Sequence, residues 1–90
     1  MTKYEFTWNC RDNNALGFIS DAECMHMIID KWTEENDGHM DEDELTNMVE
    51  YLENEMNWYW MASMMHGYFW GASTDNKWEL KGEQLREAIK

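Results

Sequence analysis

The sequence predicts an all-α protein of about four to five short helices. The 90 residues include no proline and only five glycines, as expected for a mostly helical chain with few turns. Apolar residues recur at the three-and-four spacing that places them on one face of a helix. The length suits one modest hydrophobic core, so residues 1–90 are expected to form a single domain.

The helix starts follow from capping residues. Residues 4–11 carry aromatic side chains four apart, as on one face of a helical turn. Ser20 and Glu23 form the S-x-x-E capping box, which predicts a helix over about residues 21–32.

Asp41 and Glu44 begin the next amphipathic helix in the same way. A bend or break is expected over residues 54–57, followed by a helix through Phe69. A last short helix is predicted over residues 83–90.

The charge restricts the classes of partner. Lys and Arg total 7 against 19 Asp and Glu, a formal charge of −12. Such a surface repels nucleic-acid phosphates and attracts cations or basic partners. The sequence has no apolar signal core and no apolar run long enough for a membrane span. It therefore predicts a cytoplasmic protein without nucleic-acid binding, in which Cys10 and Cys24 are free thiols.

Two stretches, residues 12–23 and 33–44, carry oxygen-bearing residues at the spacing of calcium ligands. Calcium takes about six to eight oxygens, from loop positions one, three, five, seven, nine and twelve, with a glycine at position six. Gly17 and Gly38 occupy that position. The candidate ligands are Asp12, Asn14, Phe18 through its carbonyl, Ser20 and Glu23 in the first loop, and Thr33, Glu35, Asp37, His39 through its carbonyl, Asp41 and Glu44 in the second.

Each loop has one main departure from the ligand pattern. Leu16 stands where the first loop needs an oxygen, and Thr33 replaces the anchoring Asp of the second. A degenerate third copy covers residues 73–84, where Lys77 and Lys81 replace ligands. This third loop is expected to pair structurally and to bind no ion.

The spacing of the loops decides which of them can pair. Residues 24–32 separate the first two loops by a single helix, so these loops cannot easily bridge each other. The second loop is therefore expected to form a small β-bridge with the third, through Met40 and Leu80. The first would pair across a homodimer, bind a partner or stay single.

These motifs resemble the EF-hand superfamily, with calmodulin-like loops at an unusual spacing, over residues 4–52 and more weakly over 69–90. The resemblance implies helix-loop-helix units that bind Ca²⁺ or Mg²⁺. It also implies a small sensor, buffer or calcium-modulated interaction module. In such a module, methionines on the helices take an amphipathic helix of a target protein.

Two other functions are compatible with the sequence. One is a metal-independent protein-interaction module on a degenerate EF-hand scaffold, because residues 58–70 contain more aromatic side chains than a core of this size can bury. The other is an acidic mimic of nucleic acid, although clustering of the acids in loops argues against it. No nucleophile motif, phosphate loop or HExxH is present, so an enzyme is not expected.

Overall fold

The computed structural model describes residues 1–70, and its regular secondary structure there is helical. The helices are α1 (Lys3–Ala15), α2 (Asp21–Glu34), α3 (Glu42–Glu50) and α4 (Tyr59–Phe69), and a π-helical turn over Tyr51–Glu55 continues α3. Within residues 1–70 there is no strand. The all-α prediction is confirmed, whereas the 73–84 loop, its bridge through Leu80 and the 83–90 helix lie outside the described residues.

The chain divides into two compact units, Met1–Met48 and Val49–Lys90, called here the first and second unit. Each has its own buried apolar side chains. Those of the first unit are Cys10, Cys24, Met25, Ile28, Ile29, Trp32 and Met48; the described ones of the second are Val49, Leu52, Met56, Trp58, Met61, Ala62, Met65 and Tyr68. Methionines thus serve mainly as core residues.

Helix α1 is longer than the sequence predicts. A capping box starts it, since Thr2 Oγ1 accepts from the Glu5 amide at 3.1 Å. Residues 12–15, expected to belong to the first loop, form the last turn of this helix instead. The chain leaves the helix at Gly17, whose φ of +82° is open to glycine without steric cost, and the Phe18 amide donates to the Asn13 carbonyl at 2.9 Å.

The predicted starts of α2 and α3 are confirmed by their caps. Ser20 Oγ accepts from the Glu23 amide at 3.2 Å, and Asp41 Oδ1 accepts from the Glu44 amide at 2.8 Å. Each bond satisfies one of the amides that a helix start leaves without an intrahelical partner. Helix α2 ends at Glu34, two residues beyond the expected end near residue 32.

The break expected over residues 54–57 is also present. The Met56 amide donates to the Tyr51 carbonyl, and the Trp58 amide donates to the Leu52 carbonyl at 2.8 Å. Between them Asn57 has φ +52°, a left-handed conformation that asparagine tolerates better than most residues. Helix α4 then runs to Phe69, as predicted. None of the helices in residues 1–70 has the length and apolar character needed to cross a membrane.

Candidate functional site

The first predicted calcium loop is mostly helix. Asp12 and Asn14 lie in the last turn of α1, and residues 16–20 alone connect α1 to α2. Asn14 Nδ2 donates to the Ile19 carbonyl at 3.1 Å and to Asp21 Oδ1 at 2.9 Å. The side-chain amide of Asn14 therefore links the end of α1 to the start of α2. The other side-chain candidates of this loop, Asp12, Ser20 and Glu23, are exposed.

The same connection exposes two large apolar side chains. Leu16 is 68% exposed and Phe18 is 74% exposed. Backbone bonds that end α1 and the Asn14 side chain hold the segment on both sides of Gly17. The two apolar groups are thus presented to solvent by a segment that is already ordered.

The second predicted loop begins inside α2. Thr33 is helical, and its hydroxyl donates to the Ile29 carbonyl at 2.7 Å. The His39 carbonyl, the candidate for position seven, accepts from Asn36 Nδ2 at 3.1 Å. Glu35 and Asp37 are exposed, and both Asp37 and Gly38 have positive φ.

Asp41 has a capping role in the structure. Its carboxylate accepts the backbone bond from Glu44. That bond lowers the pKa of Asp41 below its ordinary value of 3.8, and a bond from Asn36 and the nearby His39 add smaller effects in the same direction. The carboxylate thus stabilises the start of α3.

Glu44, the candidate for position twelve, is buried against a cation that the chain itself supplies. Its Oε2 lies 3.0 Å from Lys3 Nζ, with the two side chains 9% and 18% exposed. The ammonium also lies 4.5 Å from the ring centroid of Trp32 and 5.5 Å from that of Tyr4. Any metal ion at this carboxylate would have to compete with Lys3.

The contacts around Lys3 continue into the interface between α1 and α2. Trp32 Nε1 donates to Thr7 Oγ1 at 2.9 Å, and the Thr7 hydroxyl donates to the Lys3 carbonyl at 2.7 Å. Sequence reasoning missed this network. No local spacing rule connects residue 3 with residue 44, and the sequence carries no other signal that would have found it.

Cys10 and Cys24 are both free and buried, and they meet where α1 packs on α2. Cys24 Sγ lies 3.5 Å from the Cys10 carbonyl oxygen. A hydrogen bond between the two thiols lowers the pKa of Cys10; the same bond, together with burial, raises the pKa of Cys24. The thiols belong to the core of the first unit.

The candidate ligands do not converge. Across residues 1–70, no three His, Cys, Asp or Glu side chains are grouped in a way that could hold a metal ion. His39 and Asp41 approach each other at 3.9 Å, and both are largely exposed. The glycines at position six do have the positive φ that the loop pattern requires, +82° in each case.

The aromatic stretch over residues 58–70 is divided between core and surface. Trp58 and Tyr68 are buried, whereas Tyr59 and Trp60 are 59% and 44% exposed. Exposed aromatic side chains were expected here from the number of rings alone.

Comparison of the chain with protein-family models, with curated proteins and with solved structures found no match.

Proposed function

We propose that this protein is a metal-independent protein-interaction module that uses the connection between α1 and α2 as a contact surface. The observation that carries the proposal is the exposure of Leu16 and Phe18 on an ordered segment. Exposing large apolar groups forgoes the free energy of burying them. A preordered segment also loses less conformational entropy when it binds.

The partners of the predicted ligands favour this function over a calcium sensor. Asn14 bonds within the α1–α2 connection, Asp41 caps α3 and Glu44 pairs with Lys3. Calcium binding at Glu44 would have to displace the Lys3 ammonium from the carboxylate, at the cost of that ion pair.

The surroundings of Leu16 and Phe18 indicate the chemistry of the partner. Asp12, Asp21 and Glu23 are exposed beside the two apolar side chains in sequence. The complementary surface is an apolar cleft with basic residues at its rim. A cytoplasmic location belongs to the same proposal, because a reducing compartment maintains free thiols such as Cys10 and Cys24.

The test is affinity capture of a partner from extracts of the cells in which the protein occurs naturally. The capture is carried out in the presence of either EGTA or calcium. A specific partner should be retained equally in both conditions. It should be lost with the paired change Leu16→Ser and Phe18→Ser. Met27→Ser is the matched control, since Met27 is an exposed apolar residue on α2. Equal loss with the control, or recovery that needs calcium, would contradict the proposal.

Calcium binding is a second candidate, favoured by the +82° φ of Gly17 and Gly38. A competent site would change the tryptophan fluorescence below about millimolar calcium. Glu23→Gln and Glu44→Gln, assayed separately, would assign that response to one loop. Absence of any response at several millimolar calcium, on the order of the weakest EF-hand sites, would exclude this candidate.

A further inference from the structure

The second unit contains a groove between the π-helical turn and α4. Its volume is about 320 Å³. The buried side chains of Val49 and Ala62 form its apolar floor, and Gly67, which is partly exposed, also lines it. The volume is at the lower end of the roughly 300–1,000 Å³ of small-molecule pockets, so the groove suits one side chain better than a helix.

The rim of the groove is polar and acidic. It includes the exposed residues Glu53, Tyr59 and Ser63. The Tyr59 hydroxyl donates to Asn57 Oδ1 at 3.0 Å, which holds that ring in place. His66, also on the rim, packs against Trp70 with ring centroids 5.2 Å apart.

Among the described residues of the second unit, 49–70, the Asp, Glu, Lys and Arg side chains are all carboxylates. Glu50 and Glu55 are exposed in the same segment as Glu53, and the sequence contains no Lys or Arg between Lys31 and Lys77. A carboxylate and an aromatic ring above an apolar floor match a cation carried on an aliphatic stem.

We propose that this groove binds a lysine or arginine side chain of a partner protein. The aliphatic stem lies along the floor, and the ammonium or guanidinium group faces Glu53 and the Tyr59 ring. The inference goes beyond the proposed function, because the groove belongs to the second unit and its occupant needs no contact with Leu16 or Phe18.

The probes are blocked tripeptides with a central Arg, Lys, norleucine or Glu, titrated into the ¹⁵N-labelled full chain to about 10 mM, enough to detect millimolar binding. The Arg and Lys peptides should shift the amide signals of Glu53, Ser63 and Gly67. Norleucine keeps the apolar stem without the charge and should bind more weakly. The Glu peptide should cause no shift.

Two variants assign the binding to the groove. Gly67→Leu should abolish the shifts by adding a large side chain to the lining of the groove. A Cβ at Gly67 meets nothing within 4 Å, so the helix accepts the change, which circular dichroism would verify. Glu53→Gln should weaken Arg binding about two- to fivefold, the factor typical of exposed ion pairs. Glu55→Gln removes a neighbouring charge that does not line the groove and should have no effect.

Absence of shifts with the Arg and Lys peptides would overturn the proposal, as would equal effects of Glu53→Gln and Glu55→Gln. Agmatine binding more tightly than the Arg peptide would overturn the protein partner in favour of a free amine. The paired Leu16→Ser and Phe18→Ser change should leave the peptide titration unchanged. A negative result for peptide binding at the groove can therefore be distinguished from a negative result for the proposed function.

Discussion

The carboxylate of Glu44 and the ammonium of Lys3 form a part-buried ion pair with 3.0 Å between Oε2 and Nζ. Removing a charge from water is costly unless the partner charge compensates for it. The pair joins the start of α1 to the start of α3, over 41 residues of sequence.

Lys3→Met should lower the free energy of unfolding by about 2 kcal/mol, because it leaves the Glu44 carboxylate buried without its cation. Urea denaturation would measure the loss. The double variant Lys3→Met with Glu44→Leu should be less destabilised than the sum of the two single variants. Strictly additive losses would show that the pair is not coupled.

The lowered pKa of Asp41 predicts that the stability of the protein depends on pH. Its pKa in the folded state is below the ordinary value of 3.8, which applies to the unfolded chain. Its contribution to stability is therefore complete above pH 3.8 and is lost as the pH falls through the lowered pKa. Asp41→Asn keeps a capping acceptor but does not titrate, so the melting temperature of this variant should fall less between pH 5 and pH 3, roughly the range over which such a carboxylate protonates. An unchanged fall would contradict the assignment.

At the scale of elements, the α1–α2 connection depends on one side chain. Asn14 donates to Ile19 and Asp21 on the far side of the turn. The positive φ of Gly17 and the backbone bond from the Phe18 amide to the Asn13 carbonyl end α1, but neither holds Ile19 or the start of α2. The side-chain amide of Asn14 therefore joins the end of α1 to the start of α2.

Asn14→Ala should destabilise the protein by about 1–2 kcal/mol through loss of these two hydrogen bonds. It should also accelerate hydrogen exchange at residues 16–20. Asn13→Ala is the matched control, because Asn13 is an exposed neighbour on the same helical turn whose backbone carbonyl remains in place. Similar effects of the two changes would show that the Asn14 side chain does not hold the connection.

At the scale of the whole molecule, the charge of −12 opposes folding by repulsion between like charges. Salt screens this repulsion, since the Debye length is about 10 Å at 0.1 M ionic strength. The melting temperature should therefore rise with NaCl. At matched ionic strength, CaCl₂ and MgCl₂ should have equal effects if divalent cations act by screening alone.

Calorimetric scans of the whole chain in the three salts would measure this. A larger stabilisation by CaCl₂ than by MgCl₂ would reveal selective binding to the folded state, which adds to stability in proportion to the logarithm of ligand concentration. That outcome would support the EF-hand resemblance and count against a metal-independent module.

The sequence by itself determined the all-α class, the starts of α2 and α3, and the break near Asn57. Each depends on groups within a few residues, such as Ser20 with the Glu23 amide, so local spacing is sufficient. Tertiary structure decided the pairing of Glu44 with Lys3 and the meeting of Cys10 with Cys24. These contacts join distant parts of the chain, and their formation depends on how the helices pack.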